Sequence, residues 1–324
     1  MPYNLSAAAF ALIIALPLVY QSKAPYIEGS DEINNVLLVG SNVINNLLQD
    51  TSPVIAAGAV LQKISDQFKF TEGPAADKKG NIYFTDQPNN NIWKYDINGK
   101  LTLFMSGAGR SNGLYLDRKG NIISCADENN ELWQISPDKK VTILVKNFDG
   151  KRFNGPNDLW INKRGGIYFT DPFYKRDYWN HSTPEQPGQY VYYLDPKTKL
   201  VQPIEKSFNR PNGIVGTADG KWLYVADIGA SKTYRFRLGP NGQITDKQLF
   251  ADQGSDGMTL DNEGNLYLTG KGVTVYNSTG KQIAHIPVPA GWTANLCFGG
   301  KNNDILFITA SESVFILQMK VKGS

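Results

Sequence analysis

Six times between Ala59 and Ser324 the chain repeats one unit: a polar residue at a turn, a short apolar strand, a tight loop ending in glycine or asparagine, and a second apolar strand. The clearest copy is GPNDLWINKRGGIYFTD, Gly155 to Asp171, in which Leu159 to Ile161 and Ile167 to Thr170 read as the two strands. The second strands start near Asn81, Asn121, Gly166, Lys221, Asn265 and Asp304, between 39 and 55 residues apart. Each unit adds a third strand, as at Gln189 to Leu194 or Lys232 to Phe236, and a fourth, as at Val141 to Val145. Four short strands at this period are the signature of a β-propeller, because each unit can bury its faces only against its neighbours.

The loops DKKGN (77–81), DRKGN (117–121), NKRGG (162–166) and DNEGN (261–265) place glycine late, where a positive φ closes a hairpin. The last repeat supplies Leu296 to Phe298, Ile305 to Thr309 and Val314 to Met319, one strand short of a blade. The unassigned strand Val60 to Ile64 completes it and removes exposed edges. The fold expected is all-β: a six-bladed propeller over residues 59–324, four antiparallel strands per blade, closed by an N-terminal strand.

Composition narrows the function. With 33 basic and 30 acidic residues the formal charge is +3, and no Lys/Arg run is present, which argues against nucleic acid as a partner. Cys125 and Cys297 fall in strands of different repeats and read as small buried hydrophobes. The apolar run Ala7 to Tyr20 is too short to span a bilayer and resembles a secretory core followed by Ser22 and Ala24. Residues 1–24 are therefore expected to be a signal peptide, with export to a periplasm or the medium, and 25–58 a linker with a short helix around Asn42 to Leu48.

Nine residues before each second strand stands Glu72, Asn112, Asn157, Asn212, Asp256 or Asn295. In a propeller the first strand of each blade lines the central channel, so these six side chains are expected to form a ring of oxygens at one mouth. Any one Asn or Asp there is explained by an Asx-turn. Six polar residues, one of them Glu, are not. Two carboxylates among amides, without His or Cys, suit a hard cation: Ca²⁺ first, Mg²⁺ or Mn²⁺ less well.

The motifs FTEGPA (70–75), GPND (155–158), YFTDP (168–172), RPNG (210–213), SDGM (255–258) and NLCFGG (295–300) resemble those of the gluconolactonase and senescence-marker-protein family of calcium-dependent six-bladed hydrolases. The resemblance covers the chain from Ala59 onward. It implies a calcium ion held by Glu72, Asn157, Asn212 and Asp256, with Asn112 and Asn295 beside the metal, facing substrate or water, and Asn157 touching both. It also implies hydrolysis of a sugar lactone, with Asp256 as candidate base, although a carboxylate on calcium is a weak base. The senescence-marker branch has an arginine two residues before Asn157. Gly155 stands there instead, with Lys151 and Arg152 as possible replacements.

The longest insertion, DPFYKRDYWNHSTPEQPGQ (171–189), follows a strand of the third repeat. It reads as a lid whose aromatic side chains cover the mouth, with Asp171 and Tyr174 as substrate contacts and Lys175 or Arg176 near the acid product. The alternative is a loop packed on its own blade. His181 lies in this insertion and His285 in an outer strand, which leaves little material for a Ser-His-Asp mechanism, and no G-x-S-x-G element occurs. Competing functions are phosphotriester or aryl-ester hydrolysis at the same site and a non-catalytic ligand-binding propeller. The oligomeric state is open at this level.

Overall fold

The computed structural model describes residues 52–324, so the expected signal peptide and most of the expected linker lie outside the described residues. Six four-stranded antiparallel sheets follow in chain order. Blade 1 is Thr71–Ala76, Ile82–Asp86, Asn91–Tyr95 and Leu101–Ser106; blade 2 is Ser111–Leu116, Ile122–Ala126, Glu131–Ile135 and Val141–Val145. Blade 3 is Leu159–Ile161, Ile167–Asp171, Tyr190–Leu194 and Val201–Glu205, preceded by a two-stranded hairpin, Asn147–Phe148 with Lys151–Arg152. Blade 4 is Pro211–Gly216, Trp222–Asp227, Lys232–Leu238 and Ile244–Ala251; blade 5 is Met258–Leu260, Leu266–Gly270, Gly272–Tyr276 and Gln282–Ile286. Blade 6 takes Thr293–Gly299, Ile305–Ala310 and Ser313–Gln318 from the end of the sequence, and Gln62–Ser65 pairs with Ser313–Gln318 as its fourth strand.

The apolar residues do not form one central core. They form six clusters, each bridging two neighbouring blades: Trp160, Tyr168 and Val191 of blade 3 against Ile214, Leu223 and Val225 of blade 4, for example, or Ile82 and Phe84 of blade 1 against Phe307 and Val314 of blade 6. This follows from period 2: both faces of a strand near the axis meet a neighbouring blade, so it is buried on both sides, as in the second strand of blade 3, Ile167–Asp171. Packing begins before Ala59. Val54 and Ile55 are buried against blade 6, where Lys320 N–H donates to the Val54 carbonyl at 2.8 Å.

The hairpin loops close as their composition predicts. Asp77 accepts from the N–H groups of Lys79 and Asn81, and Asp117 and Asp261 repeat the arrangement, while Gly80 and Gly120 hold φ of 88° and 84°. At the other end of the inner strands, glycines let the blades meet around the axis. A Cβ on Gly73 would lie 2.1 Å from the Asn112 carbonyl oxygen of the next blade, at a φ of +46°. Gly73→Ala is therefore expected to cost about 3 kcal/mol or more, read as a lower urea midpoint at unchanged slope.

Cys125 and Cys297 are free thiols in blades 2 and 6, and His285 sits on the outer strand of blade 5, with Nδ1 3.3 Å from Thr274 Oγ1. No helix among the described residues is long and apolar enough to cross a membrane.

Candidate active site

The residues at the start of the inner strands converge. Glu72, Asn112, Asn157, Tyr174 and Asp256 line one cavity of about 320 Å³, together with Phe70, Arg176, Arg210 and Trp292. That volume is at the small end of the range for small-molecule sites. Asn212 stands beside it. Its Nδ2 donates to Asp256 Oδ1 at 2.8 Å and to the Tyr174 hydroxyl at 3.1 Å.

Two of the six ring residues, Asn212 and Asn295, are not among those that line this cavity. Asn295, expected as a substrate contact, does not line this cavity. It lines a wider one of about 1100 Å³ at the opposite end of the inner strands, among the hairpin loops. Its Oδ1 accepts from Leu296 N–H at 2.8 Å, and its amide favours the ionised forms of Glu72 and Asp158. Blade 6 carries Leu296 where four other blades carry glycine after the ring residue, and Gly257 of the neighbouring blade packs directly on the Asn295 side chain.

Asp171, expected as a substrate contact, is fully buried outside the cavity, and this is a correction. Its carboxylate accepts from the N–H groups of Asn154 at 2.9 Å and Gly155 at 2.8 Å. Asp86 does the same for Lys69 and Phe70, and Asp227 for Asn209 and Arg210. These acids brace the segment that leads into the inner strand of their own blade. Asp171 belongs to the scaffold.

Burial and mutual repulsion dominate the electrostatics. Glu72 is held well above the usual carboxylate range, first by burial and then by the charge of Asp256, against a hydrogen bond from Gly73 N–H at 2.8 Å. Burial pushes Asp256 up to about 6, opposed by Trp292, whose Nε1 donates to Oδ2 at 2.6 Å, and by Asn212. Burial likewise pushes Asp158, one residue beyond Asn157, to about 7. Burial and the neighbouring Asp256 drive the Tyr174 phenol up to about 12, so it keeps its proton.

The donor set fits a divalent cation. Asn212 Oδ1 is buried and has no hydrogen-bond partner, because its amide nitrogen is committed to Asp256 and Tyr174. A buried acceptor left this way costs about 1–3 kcal/mol unless something satisfies it. Two buried carboxylates stand beside it: Asp256, raised by burial, and Glu72, raised by burial and by the charge of Asp256. No group of three His, Cys, Asp or Glu side chains suited to a metal occurs among the described residues, so any cation here would depend on the amide oxygens of Asn157 and Asn212 as well as on Glu72 and Asp256.

The insertion reaches across to blade 2 as well as packing on the segment that enters its own blade. Asp127 of blade 2 accepts from Arg176 Nε at 2.8 Å, from Gln87 Nε2 at 3.0 Å and from the Tyr178 hydroxyl, and its carbonyl accepts from Trp179 Nε1 at 2.8 Å. Asp127 is available because Ala126 occupies the bracing position that Asp86 and Asp171 fill elsewhere: Ser111 pairs with Ala126 as Thr71 pairs with Asp86. Gly155 now has a reason. A Cβ there would lie 2.7 Å from Asp127 Oδ1 and 3.1 Å from the Trp179 ring. Arg152 is not a replacement for the missing arginine, because it pairs with Glu185 at 2.8 Å and ties down the far end of the insertion. Lys151 and Lys175 are exposed and line no part of the cavity, whereas Arg176 does.

Arg210, Trp292 and Asp127 are the residues that sequence reasoning missed. Arg210 carried a usable signal, standing two residues before the ring residue Asn212 as Arg110 does before Asn112. Trp292 and Asp127 carried none, since loop residues reach the mouth only through the packing of other blades.

Residues 70–312 match the family model described as the SMP-30/Gluconolactonase/LRE-like region. A gluconolactonase of Zymomonas mobilis is 27% identical over 96% of this chain and 96% of its own. Among solved structures, a gluconolactonase from Xanthomonas campestris superposes with a TM-score of 0.76 at 27% identity, over 82% of this chain and 90% of its own. The calcium-binding protein regucalcin from Agrobacterium tumefaciens shares the fold, with a TM-score of 0.69 at 19% identity, over 82% of this chain and 96% of its own.

Proposed function

Because the chain belongs to the SMP-30/gluconolactonase/LRE-like family, we propose that it is a lactone hydrolase. It opens a sugar lactone of the glucono-1,5-lactone type to the aldonic acid in the cavity between Glu72, Asn157 and Asp256, with a divalent cation, calcium by preference, as cofactor. The observation that carries this reading is Asn212 Oδ1, buried and without a hydrogen-bond partner among the described residues, beside two buried acids, one of which raises the other's pKa. The gluconolactonase relative matched along nearly its whole length supports the lactone as substrate.

Glu72, Asn157, Asn212 and Asp256 are the residues that would hold the cation. A cation bound there supplies electrostatic stabilisation to the oxygen on which negative charge develops as water adds to the carbonyl. The protein's own groups do the rest. Trp292 and Asn212 each occupy one oxygen of Asp256 and fix the plane of its carboxylate. The Tyr174 hydroxyl, pushed up to about 12 by burial and by Asp256, keeps its proton near neutral pH and can donate to a substrate oxygen. Asn112, on the opposite wall, offers an amide to the sugar hydroxyls. Asp256 is also the carboxylate available as a base toward water, with a cation holding its basicity down.

The test is hydrolysis of glucono-1,5-lactone by purified protein before and after EGTA treatment. Full activity after exhaustive chelation would remove the cation from the proposal. No turnover of any five- or six-membered lactone would remove the reaction and leave a binding propeller. Asn112→Ala is expected to raise KM about tenfold with kcat within about threefold, the pattern for loss of binding shared by ground and transition states. A fall in kcat alone would place Asn112 in the chemistry instead. Export, proposed from the apolar run Ala7 to Tyr20, is checked by N-terminal sequencing of the protein recovered outside the cytoplasm.

A further inference from the structure

The rim of the cavity carries a feature that a neutral sugar does not require. Two guanidinium groups flank one tyrosine: Arg176 Cζ lies 5.7 Å and Arg210 Cζ 5.2 Å from the centroid of the Tyr174 ring, and both arginines line the cavity. Arg210 makes no ion pair among the described residues. Its backbone N–H is taken by Asp227, and its side chain has only the face of Tyr174. Arg176 pairs with Asp127 through Nε alone, which leaves its two Nη groups without a protein hydrogen bond among the described residues.

We propose that the substrate carries an anionic group besides its lactone ring, a carboxylate or a phosphate, and that Arg176 and Arg210 hold it at the rim while the lactone carbonyl faces the carboxylates Glu72 and Asp256. The proposal rests on the lactone-hydrolase reading and names the class of lactone.

Three physical points carry it. Bringing two cations to one ring costs repulsion, and a single anion between them offsets it. The guanidinium fork matches the oxygens of a carboxylate or phosphate, whereas sugar hydroxyls are served equally well by neutral amides such as Asn112. Arg176 is also pre-organised: its side chain is 24% exposed, and its anchor Asp127 is itself held by Gln87 and Tyr178. A guanidinium fixed by a buried acid, with its outer edge left open toward a cavity, is built to receive something. The acids of the cavity are buried, whereas Arg176 is partly exposed and Arg210 exposed. A ligand with its electrophilic carbonyl at one end and an anion at the other matches that polarity, and the anion steers it in.

The experiment uses the full chain with three lactones: neutral D-glucono-1,5-lactone, D-glucaro-1,4-lactone with its free carboxylate, and 6-phospho-D-glucono-1,5-lactone. One of the anionic lactones is expected to exceed the neutral one in kcat/KM by about tenfold or more, and the better of the two identifies the anion. Raising the salt should lower kcat/KM for that lactone more than for the neutral one. Arg210→Ala should cut the anionic-to-neutral ratio about tenfold, with Arg210→Lys recovering part of it. Arg176→Gln should act in the same direction, with its thermal midpoint recorded so that a folding defect is recognised. Equal kcat/KM for all three lactones, or an Arg210→Ala effect of the same factor on each, overturns the proposal. Calorimetry supplies an arm independent of turnover: glucarate or 6-phosphogluconate, whichever matches the preferred anion, should bind about tenfold tighter than gluconate, and the difference should vanish in Arg210→Ala. If no lactone is hydrolysed the proposed reaction falls, and the anion site falls separately if neither glucarate nor 6-phosphogluconate binds tighter than gluconate.

Discussion

Asp256→Ala is expected to lower kcat/KM for lactone hydrolysis by on the order of 10²–10³-fold and to abolish calcium binding measured by calorimetry in the same protein. The two losses should go together because one side chain serves both. Asp256 contributes one of the two carboxylates of the donor set, and its oxygens are the anchor points of Asn212 and Trp292. Removing it leaves the Asn212 amide with the Tyr174 hydroxyl as its remaining acceptor, so the unsatisfied Asn212 Oδ1 is held less firmly. The substitution also relieves Glu72 of its strongest neighbouring charge, so Glu72 should titrate closer to the ordinary range. Calcium affinity unchanged in Asp256→Ala would show that the ligand assignment is wrong, whatever happens to turnover. Activity lost with affinity retained would make Asp256 a base and not a ligand.

The second large effect is on stability. Removing the cation with a chelator should lower the thermal midpoint by roughly 5–10 °C relative to the calcium-saturated protein. Binding to the folded state alone, at a hundredfold excess over Kd, stabilises by about 2.7 kcal/mol. For a domain of this size each kcal/mol moves the midpoint by roughly 2–4 °C. The sign follows from the charges, since without a cation Glu72 and Asp256 are buried acids that repel one another. Glu72→Gln offers a control, because it relieves the same repulsion without a metal. Its chelated form should melt above the chelated parent, and a chelator that changes neither midpoint would argue against a bound ion.

Much of the architecture was legible in the sequence. The period-2 strands and the late loop glycines are local signals, and the second strands begin within a residue of where the repeats place them, as at Ile82, Ile122 and Ile167. The strand Gln62–Ser65 beside Ser313–Gln318 was likewise foreseeable from a last repeat one strand short. Asp171 was misread because an acid at a strand end looks the same whether it faces a cavity or braces a backbone. Its role became plain only when Asn154 and Gly155 were seen to donate to it, as the corresponding residues do to Asp86 and Asp227. Asn295 was placed with its five counterparts by spacing, and spacing cannot report which way a side chain turns within the channel.

The sequence by itself determined the number of blades and the six turn positions, because strand periodicity and glycine turns are set by residues a few places apart. Only the tertiary structure decided what surrounds those turns. Asp127, Arg176, Arg210 and Trp292 come from blade 2, from the insertion within blade 3 and from the loops entering blades 4 and 6. Their meeting depends on how the interfaces between blades pack, and no local pattern encodes the distance between loops so far apart in the chain.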